Sequence, residues 1–204
     1  MLNLGKMVLE VVVKPSVFAL PVKLSQICKK MDMLNWKRPV EGEFIPYQIT
    51  YLNHVPEGDL IALMRKNIDE TAAFLISLPE EKLEFRYAEG KWSIKDVLQH
   101  LIDCERIMCY RALRFARKDK APLAGFEEND YATNANTNER DFVDMVREFI
   151  AVRAGTVYMF RSFNDEILTF AGQANNSNVT VNALAYVIAG HEMHHINIIK
   201  ERYL

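Results

Sequence analysis

Four long stretches of the sequence repeat their apolar residues at a spacing of three to four, the period of an amphipathic helix. They cover approximately residues 59–77, 93–118, 139–163 and 181–202. No two alternating apolar runs are joined by a hairpin turn, so the sequence disfavours an extensive β-sheet. The chain of 204 residues is therefore predicted to adopt an all-α fold, a four-helix bundle.

Local signals mark the ends of several of these helices. Ser93 and Asp96 form an S-x-x-D start signal for the second helix, because both side chains can bond free N–H groups of its first turn. Thr180 is placed to cap the fourth helix. Pro79 is expected to end the first.

The long connection between the second and third helices favours one topology. It covers roughly residues 119–138 and is rich in Gly, Pro, Asn and Asp. About 20 extended residues can span ~66 Å, whereas the second helix would be only about 39 Å long. The chain can therefore return along the whole bundle, which permits an up-down-down-up order with the second and third helices parallel.

Composition narrows the function classes. The 25 basic and 27 acidic side chains give a net charge of −2, which does not indicate a nucleic-acid partner. No stretch approaches the ~20 apolar residues of a membrane-spanning helix. Cys28, Cys104 and Cys109 are an odd number without a C-x-x-C pair, so disulfides are not expected and a cytoplasmic location fits.

Residues 1–37 are interpreted as an N-terminal extension of unknown role, preceding a bundle domain of residues 38–204. The extension contains two apolar stretches, Met7–Val13 and Val17–Val22, but no small-residue cleavage pattern follows them. A signal peptide is therefore a poor fit. The simplest interpretation is an arm that packs on the domain or on a partner.

The histidines suggest a metal site. His191 and His195 lie four residues apart, hence about 40° apart around a helix axis and one turn apart along it. A zinc-type site needs a third protein ligand. If the second and fourth helices are antiparallel, His100 lies at the same depth and becomes that ligand. The alternative is a polar corner of packed histidines without a metal.

The string His191-Glu192-Met193-His194-His195 also matches the H-E-x-x-H signature of zinc peptidases. A peptidase is disfavoured, because Ile198 and Glu201 stand where the metzincin extension has glycine and histidine. A di-iron site would need a second Glu-x-x-His element, so a mononuclear site is favoured. Glu192 is a candidate general base or ligand orienter, with an ordinary bundle carboxylate as the alternative.

Other side chains of the second helix lie near His100 by helical phase. Cys104 could supply a fourth ligand or could be a small buried residue. Asp96 lies one turn before His100, and Asp103 could orient a ligand histidine. Arg111 and Arg114 could receive an anionic substrate or cofactor, although such arginines commonly form solvated ion pairs.

The remaining histidines receive no ligand role. His194 is displaced about 80° from the direction midway between His191 and His195, so it should lie outside the ligand set. His54 precedes the first helix in a loop and is assigned no function.

Several motifs together resemble the DinB-like superfamily over roughly residues 38–204. They are Tyr87–Asp96, His100–Asp103, Glu105-Arg106, Tyr110–Arg114, Gly125-Phe126 and Gly190–His195. The resemblance implies an up-down-down-up bundle, usually a homodimer, with a divalent metal held by His100, His191 and His195. Members include thiol-dependent S-transferases and isomerases, and many metal-dependent hydrolases without a known substrate.

The expected function is therefore that of a metal-dependent enzyme acting on a small molecule. A three-histidine site can activate a low-molecular-weight thiol for S-transfer or a water for hydrolysis, and the sequence leaves both open. Zinc or nickel suits imidazole ligands better than magnesium. The alternative is a non-catalytic metal-binding or stress-related bundle, which a closed site with a fourth protein ligand would favour.

Overall fold

The structure, a computed structural model, describes residues 34–204. The interpretation of residues 1–33 as an arm, and Cys28 with it, lies outside the described residues. The helices are α1 (Ile49–Leu52), α2 (Leu60–Ile76), α3 (Ile94–Ala116), α4 (Glu128–Asn134), α5 (Phe142–Arg161), α6 (Asp165–Leu168) and α7 (Val181–Arg202). The strands are β1 (Ala171–Ala174) and β2 (Ser177–Thr180), and short 3₁₀ helices cover Pro46–Gln48, Glu80–Lys82 and Thr137–Glu139.

The four long helices α2, α3, α5 and α7 coincide with the four predicted windows, and their caps explain where they begin. Ser93 accepts from the Asp96 backbone N–H at 3.1 Å, while Asp96 accepts from the Ser93 N–H at 2.9 Å. Thr180 accepts from the Ala183 N–H at 3.0 Å at the start of α7. Both predicted start signals are confirmed, since these bonds satisfy donors that the helix itself leaves unpaired.

Two apolar clusters show the directions of the helices. One joins Leu75 and Ile199, near the ends of α2 and α7, to Ile94 and Met145, near the starts of α3 and α5. The other joins the starts of α2 and α7 to the ends of α3 and α5. Helices α2 and α7 therefore run one way and α3 and α5 the other, which is the predicted up-down-down-up order.

A small antiparallel hairpin precedes α7, where the sequence analysis expected no hairpin. Strands β1 and β2 pair from Ala171 with Thr180 to Ala174 with Ser177. Asn175 and Asn176 form the turn with φ of 49° and 60°. Asparagine tolerates this left-handed conformation, which a two-residue hairpin turn requires. The hairpin is local, and the fold remains a helical bundle.

The long connection between α3 and α5 is fixed to this hairpin. The Leu123 N–H donates to the Gln173 carbonyl at 2.9 Å, and the Asn175 N–H donates to the Leu123 carbonyl at 3.0 Å. Helix α4 and the 3₁₀ helix Thr137–Glu139 lie further along the same connection. The segment is thus structured along its length, which explains how a loop of this size fits a compact domain.

The described residues just before position 38 pack on the bundle. The Trp36 ring meets Phe160 edge-on with ring centroids 6.3 Å apart. The Asn182 side chain donates to the Lys37 carbonyl at 2.7 Å. Within residues 34–204, no helix combines the length and apolar character needed to cross a membrane.

A buried ion network joins the long helices at the centre of the bundle. Arg153 of α5 is 1% exposed and donates from Nε and Nη2 to Glu105 of α3 at 2.8–3.0 Å. Its Nη1 donates to Glu192 of α7. Thr71 of α2 donates to Glu192 at 2.6 Å, and Thr156 of α5 donates to Glu105 at 2.6 Å. Each long helix thus contributes to one network.

The substitution Arg153→Met should strongly destabilise the fold. It would leave Glu105 and Glu192 buried without a counter-charge, and removing one partner of a buried pair costs about 3–5 kcal/mol. Urea unfolding followed by circular dichroism measures the change. Arg147→Met, at an exposed position of the same helix, is the control and should change stability by less than about 0.5 kcal/mol. Equal stabilities for the two variants would contradict the structural role of the network.

Candidate metal centre

The antiparallel packing of α3 and α7 brings three histidines together. His100 lies near the start of α3, and His191 and His195 lie in the last three turns of α7. One ring nitrogen of each lies within 4.8 Å of the others. The Nε2 atoms of His100 and His191 are 2.9 Å apart. The residues predicted as metal ligands therefore form one cluster.

Burial keeps these imidazoles neutral. It lowers the pKa of His100 to about 4 and is the main cause that lowers the pKa of His195 to about 3. The pKa of His191 is lowered well below its ordinary value, first by burial and then by the neighbouring histidines and Arg153. Neutral imidazole is the form that binds a metal, so the ring nitrogens are available as ligands near neutral pH.

The cluster fits a divalent metal ion. Two nitrogens bound at ~2.0–2.1 Å to one tetrahedral ion lie about 3.3 Å apart. The separation of 2.9 Å between His100 and His191 is close to that value, and the ligand nitrogens of all three histidines lie within 4.8 Å of one another. Among residues 34–204, the set of mutually close ligand atoms contains three histidines and no fourth protein ligand. Three imidazoles with a free coordination position define an open site.

Aromatic rings fix the orientation of the histidines. The indole of Trp92 lies 4.6 Å from the His100 ring, centroid to centroid. Tyr51 meets His191 edge-on at 4.9 Å and lies 5.3 Å from His194. Tyr47 in turn meets Tyr51 edge-on at 6.2 Å. These aromatic residues were not predicted from the sequence, because Trp92 lies within the family motif alone and α1 is too short to show a periodic pattern.

Helix α1 reaches this position because of Gly190. A Cβ built at Gly190 would lie 2.1 Å from the Tyr51 carbonyl oxygen and 3.1 Å from Val55. Only a residue without a side chain lets the two backbones approach so closely. Gly190 therefore positions Tyr51 against the neighbouring His191.

Glu192 lies in the ion network instead of at the opening of the site. One carboxylate oxygen accepts from Thr71 and the other from Arg153, and the side chain is 1% exposed. A general base needs an oxygen free to accept a proton from water or substrate. Of the alternatives raised from the sequence, this placement corresponds to a bundle carboxylate, which anchors α7 next to the clustered histidines.

The other candidates on the start of α3 have their own partners. Cys104 Sγ lies 3.5 Å from His100 Nδ1 but is not among the mutually close ligand atoms. Burial raises the pKa of the Cys104 thiol, which keeps it protonated. Asp96 pairs with Arg86 at 2.8 Å and caps the helix. Asp103 accepts from Gln99 at 2.9 Å, on its own helix.

The two arginines predicted as anchors differ in position. Arg111 is buried and donates to the Ala124 carbonyl at 2.9 Å, so it holds the long connection against α3. Arg114 pairs with Asp119 and also donates to the hydroxyl of Tyr110. Both guanidinium groups are thus engaged within the chain, and the structure does not bring Arg114 to the histidines.

His194 points away from the ligand set and meets His54. The His54 Nε2 and His194 Nδ1 atoms are 3.3 Å apart, and the rings lie 5.4 Å apart, centroid to centroid. The sequence analysis placed His194 outside the ligand set and gave His54 no role. Their contact spans 140 residues of sequence, so no local pattern could have revealed it.

The chain belongs to the DinB superfamily, since a model of that family matches residues 63–199. It is 28% identical over 127 residues to the "Putative metal-dependent hydrolase OB0413" of Oceanobacillus iheyensis, a match covering 61% of this chain and 72% of that protein. It is 30% identical over 76 residues to a "Putative metal-dependent hydrolase" of Geobacillus thermodenitrificans. The second match covers 37% of this chain and 43% of the relative.

A solved structure shares the fold. YfiT from Bacillus subtilis is described as a "probable metal-dependent hydrolase with an unusual four-helix bundle topology". The two structures align with a TM-score of 0.61 and 15% sequence identity, covering 81% of this chain and 90% of YfiT. At this identity the likeness supports the bundle topology alone.

Removing any histidine of the cluster should abolish metal binding. His100→Ala, His191→Ala and His195→Ala should each lose most of the divalent metal that the unmodified protein carries, because two imidazoles hold it weakly. Elemental analysis of the purified proteins is the measurement. The control variants His54→Ala and His194→Ala should retain the metal. Loss in His194→Ala with retention in His195→Ala would contradict this ligand set.

The substitution Gly190→Ala should destabilise the protein by about 1–3 kcal/mol, the usual cost of overpacking, since the added methyl group would overlap the Tyr51 carbonyl. The matched control is Gly155→Ala in α5, where an added Cβ meets nothing within 4 Å. The free energy of unfolding of that variant should rise by about 0.5–1 kcal/mol, because alanine has a higher helix propensity than glycine. Urea unfolding tests both, and a stabilised Gly190→Ala would refute the close approach of α1.

Proposed function

We propose that this protein is a metal-dependent hydrolase with one divalent ion held by His100, His191 and His195. The observation that carries the proposal is the cluster of three neutral imidazoles, those of His100 and His191 buried and that of His195 half-buried. The names of the two relatives point to the same class of reaction. Zinc or nickel is the proposed metal, since imidazole ligands suit both better than magnesium.

A divalent metal bound at such a site supplies Lewis-acid chemistry, in that it activates water and polarises a carbonyl group. The residues of this chain hold it in place. Trp92 and Tyr51 restrict the rings of His100 and His191. Arg153 and Thr71 both donate to Glu192, which directly follows His191. These contacts fix the turn of α7 that carries His191 to the bundle interior.

Thiol S-transfer is the second reaction expected from the sequence, and it needs anchors for a thiol cofactor. The two arginines proposed for that role donate to Ala124 and Asp119 within the chain. This arrangement favours hydrolysis over S-transfer. A homodimer and a cytoplasmic location remain predictions of the sequence and of the family resemblance.

Hydrolysis should depend on the reloaded metal. The protein is stripped with a chelator, reloaded with Zn²⁺ or Ni²⁺, and assayed on a panel of esters and amides. Parallel reactions contain a low-molecular-weight thiol with an electrophile, and the loss of free thiol is followed. Metal-loaded protein should hydrolyse at least one substrate, while stripped protein and His195→Ala should not.

Arg147→Met is the activity control, because its exposed side chain lies outside the site. Thiol conjugation without hydrolysis would replace the proposal with S-transfer. Tight metal binding with neither reaction would indicate a non-catalytic metal-binding protein.

A further inference from the structure

A cavity of about 200 Å³ lies beside the histidine cluster, and His195 forms part of its wall. Helix α7, the turn that precedes α3, and α4 supply the other walls, among them Trp92, Tyr203 and Asn129. Another cavity, of about 810 Å³, contains none of the three histidines. Because His195 forms part of its wall, the smaller cavity lies next to the proposed metal centre.

The walls of this cavity are aromatic and held in place. Tyr87 and Tyr203 meet edge-on with centroids 5.0 Å apart. The Tyr203 hydroxyl donates to the Trp92 carbonyl at 2.7 Å, and the Trp92 ring packs on His100. Aromatic surfaces in fixed, mutually tilted orientations favour another aromatic ring, which can stack on one wall and meet the next edge-on.

The size of the cavity suits a single aromatic ring. An enclosed apolar cavity of about 150 Å³ in a protein takes one benzene ring. The volume here, about 200 Å³, therefore has room for a six-membered ring with a small substituent. Because the cavity is open to solvent on one side, a larger group attached to the ring extends out of it.

Charges of both signs lie near the rim, since Asp96 and Arg202 both act on Tyr203, but the charged side chain that lines the cavity is basic. Lys91 lines the cavity, and no carboxylate does so in the described part of the chain. Arg202 lies at the same rim, since its guanidinium stands 5.4 Å from the Tyr87 ring and donates to the Tyr87 hydroxyl at 3.2 Å. Arg86 is neutralised by Asp96. An anionic substituent is thus favoured at this rim, although the whole chain is net negative.

We infer that this cavity is a substrate subsite for an aromatic ring bearing a carboxylate, so that the substrates are esters or amides of carboxylated aromatic compounds. The inference rests on the proposed hydrolase function. The ring lies between Trp92 and Tyr203, its carboxylate lies at Lys91, and the bond to be hydrolysed lies towards His195. Water attacks the acyl carbon, the bond to the alcohol or amine breaks, and the leaving group takes the proton.

Tryptophan fluorescence can test the subsite without turnover. The chain has two tryptophans, and Trp36→Phe leaves Trp92 as the reporter. Within residues 34–204 that substitution loses no hydrogen bond, because the buried Trp36 Nε1 has no partner there. The metal-loaded variant is titrated with phenylacetate, with cyclohexylacetate as the non-aromatic probe and benzylamine as the cationic one.

Phenylacetate should quench Trp92 saturably and bind more tightly than both other probes. Lys91→Ala should weaken phenylacetate binding by about two- to fivefold, the factor expected for an exposed ion pair. Ile198→Phe, which fills part of the cavity wall, should weaken it further while retaining the metal. Lys66→Ala is the control, because Lys66 is exposed on α2 and pairs with Glu70, and it should bind phenylacetate unchanged.

Equal binding of benzylamine and phenylacetate, or unchanged binding in Ile198→Phe, would overturn the subsite. Selective phenylacetate binding by a protein that hydrolyses no ester or amide would support the subsite and contradict the proposed function. Hydrolysis of aliphatic esters without phenylacetate binding would support the proposed function and contradict the subsite.

Discussion

The buried pairing of Arg153 with Glu105 and Glu192 is the constraint on which the bundle depends. All three side chains are 4% exposed or less, and desolvated charges are tolerated only when paired and hydrogen-bonded. A slip of one helix by a single turn would separate at least one carboxylate from the guanidinium. The network therefore selects one register among many that apolar packing alone would accept. That register sets His100 opposite His191.

The same network carries an electrostatic consequence for the metal centre. Arg153 pairs with both Glu105 and Glu192, and its positive charge is one of the causes that lower the pKa of the neighbouring His191. Three neutral imidazoles leave the charge of a divalent ion uncompensated. Interactions between buried charges are screened less than those at the surface. The two carboxylates that pair with Arg153 therefore reduce the repulsion between its guanidinium and a cation at the proposed site. Glu192 acts in this way while it contacts Arg153 and Thr71.

The sequence was informative where the decisive contacts are local. Helix α7 begins and ends where its pattern predicts, and the caps at Ser93 and Thr180 depend on bonds within three residues. The hairpin at Asn175-Asn176 was missed, although two asparagines in succession are a turn signal. Arg153 was missed because the third helix was recognised by the spacing of its apolar residues, to which a charged residue does not contribute. Helical spacing places Arg153 on the same buried face as Phe149, Thr156 and Phe160. A charged residue on that face was the sequence signal that could have revealed the network.

The H-E-x-x-H string shows why a motif needs its fold. On any helix the first and last histidines of the string share a face, whereas the side chain of the glutamate points to a different face. In a peptidase that glutamate acts on the water at the metal. Here α7 packs with its ligand face towards α3 and its next face towards α2 and α5, so Glu192 enters the bundle interior. In this chain the same five letters therefore place two histidines in the cluster and one carboxylate in the ion network, and the packing of α7 decides between the two meanings.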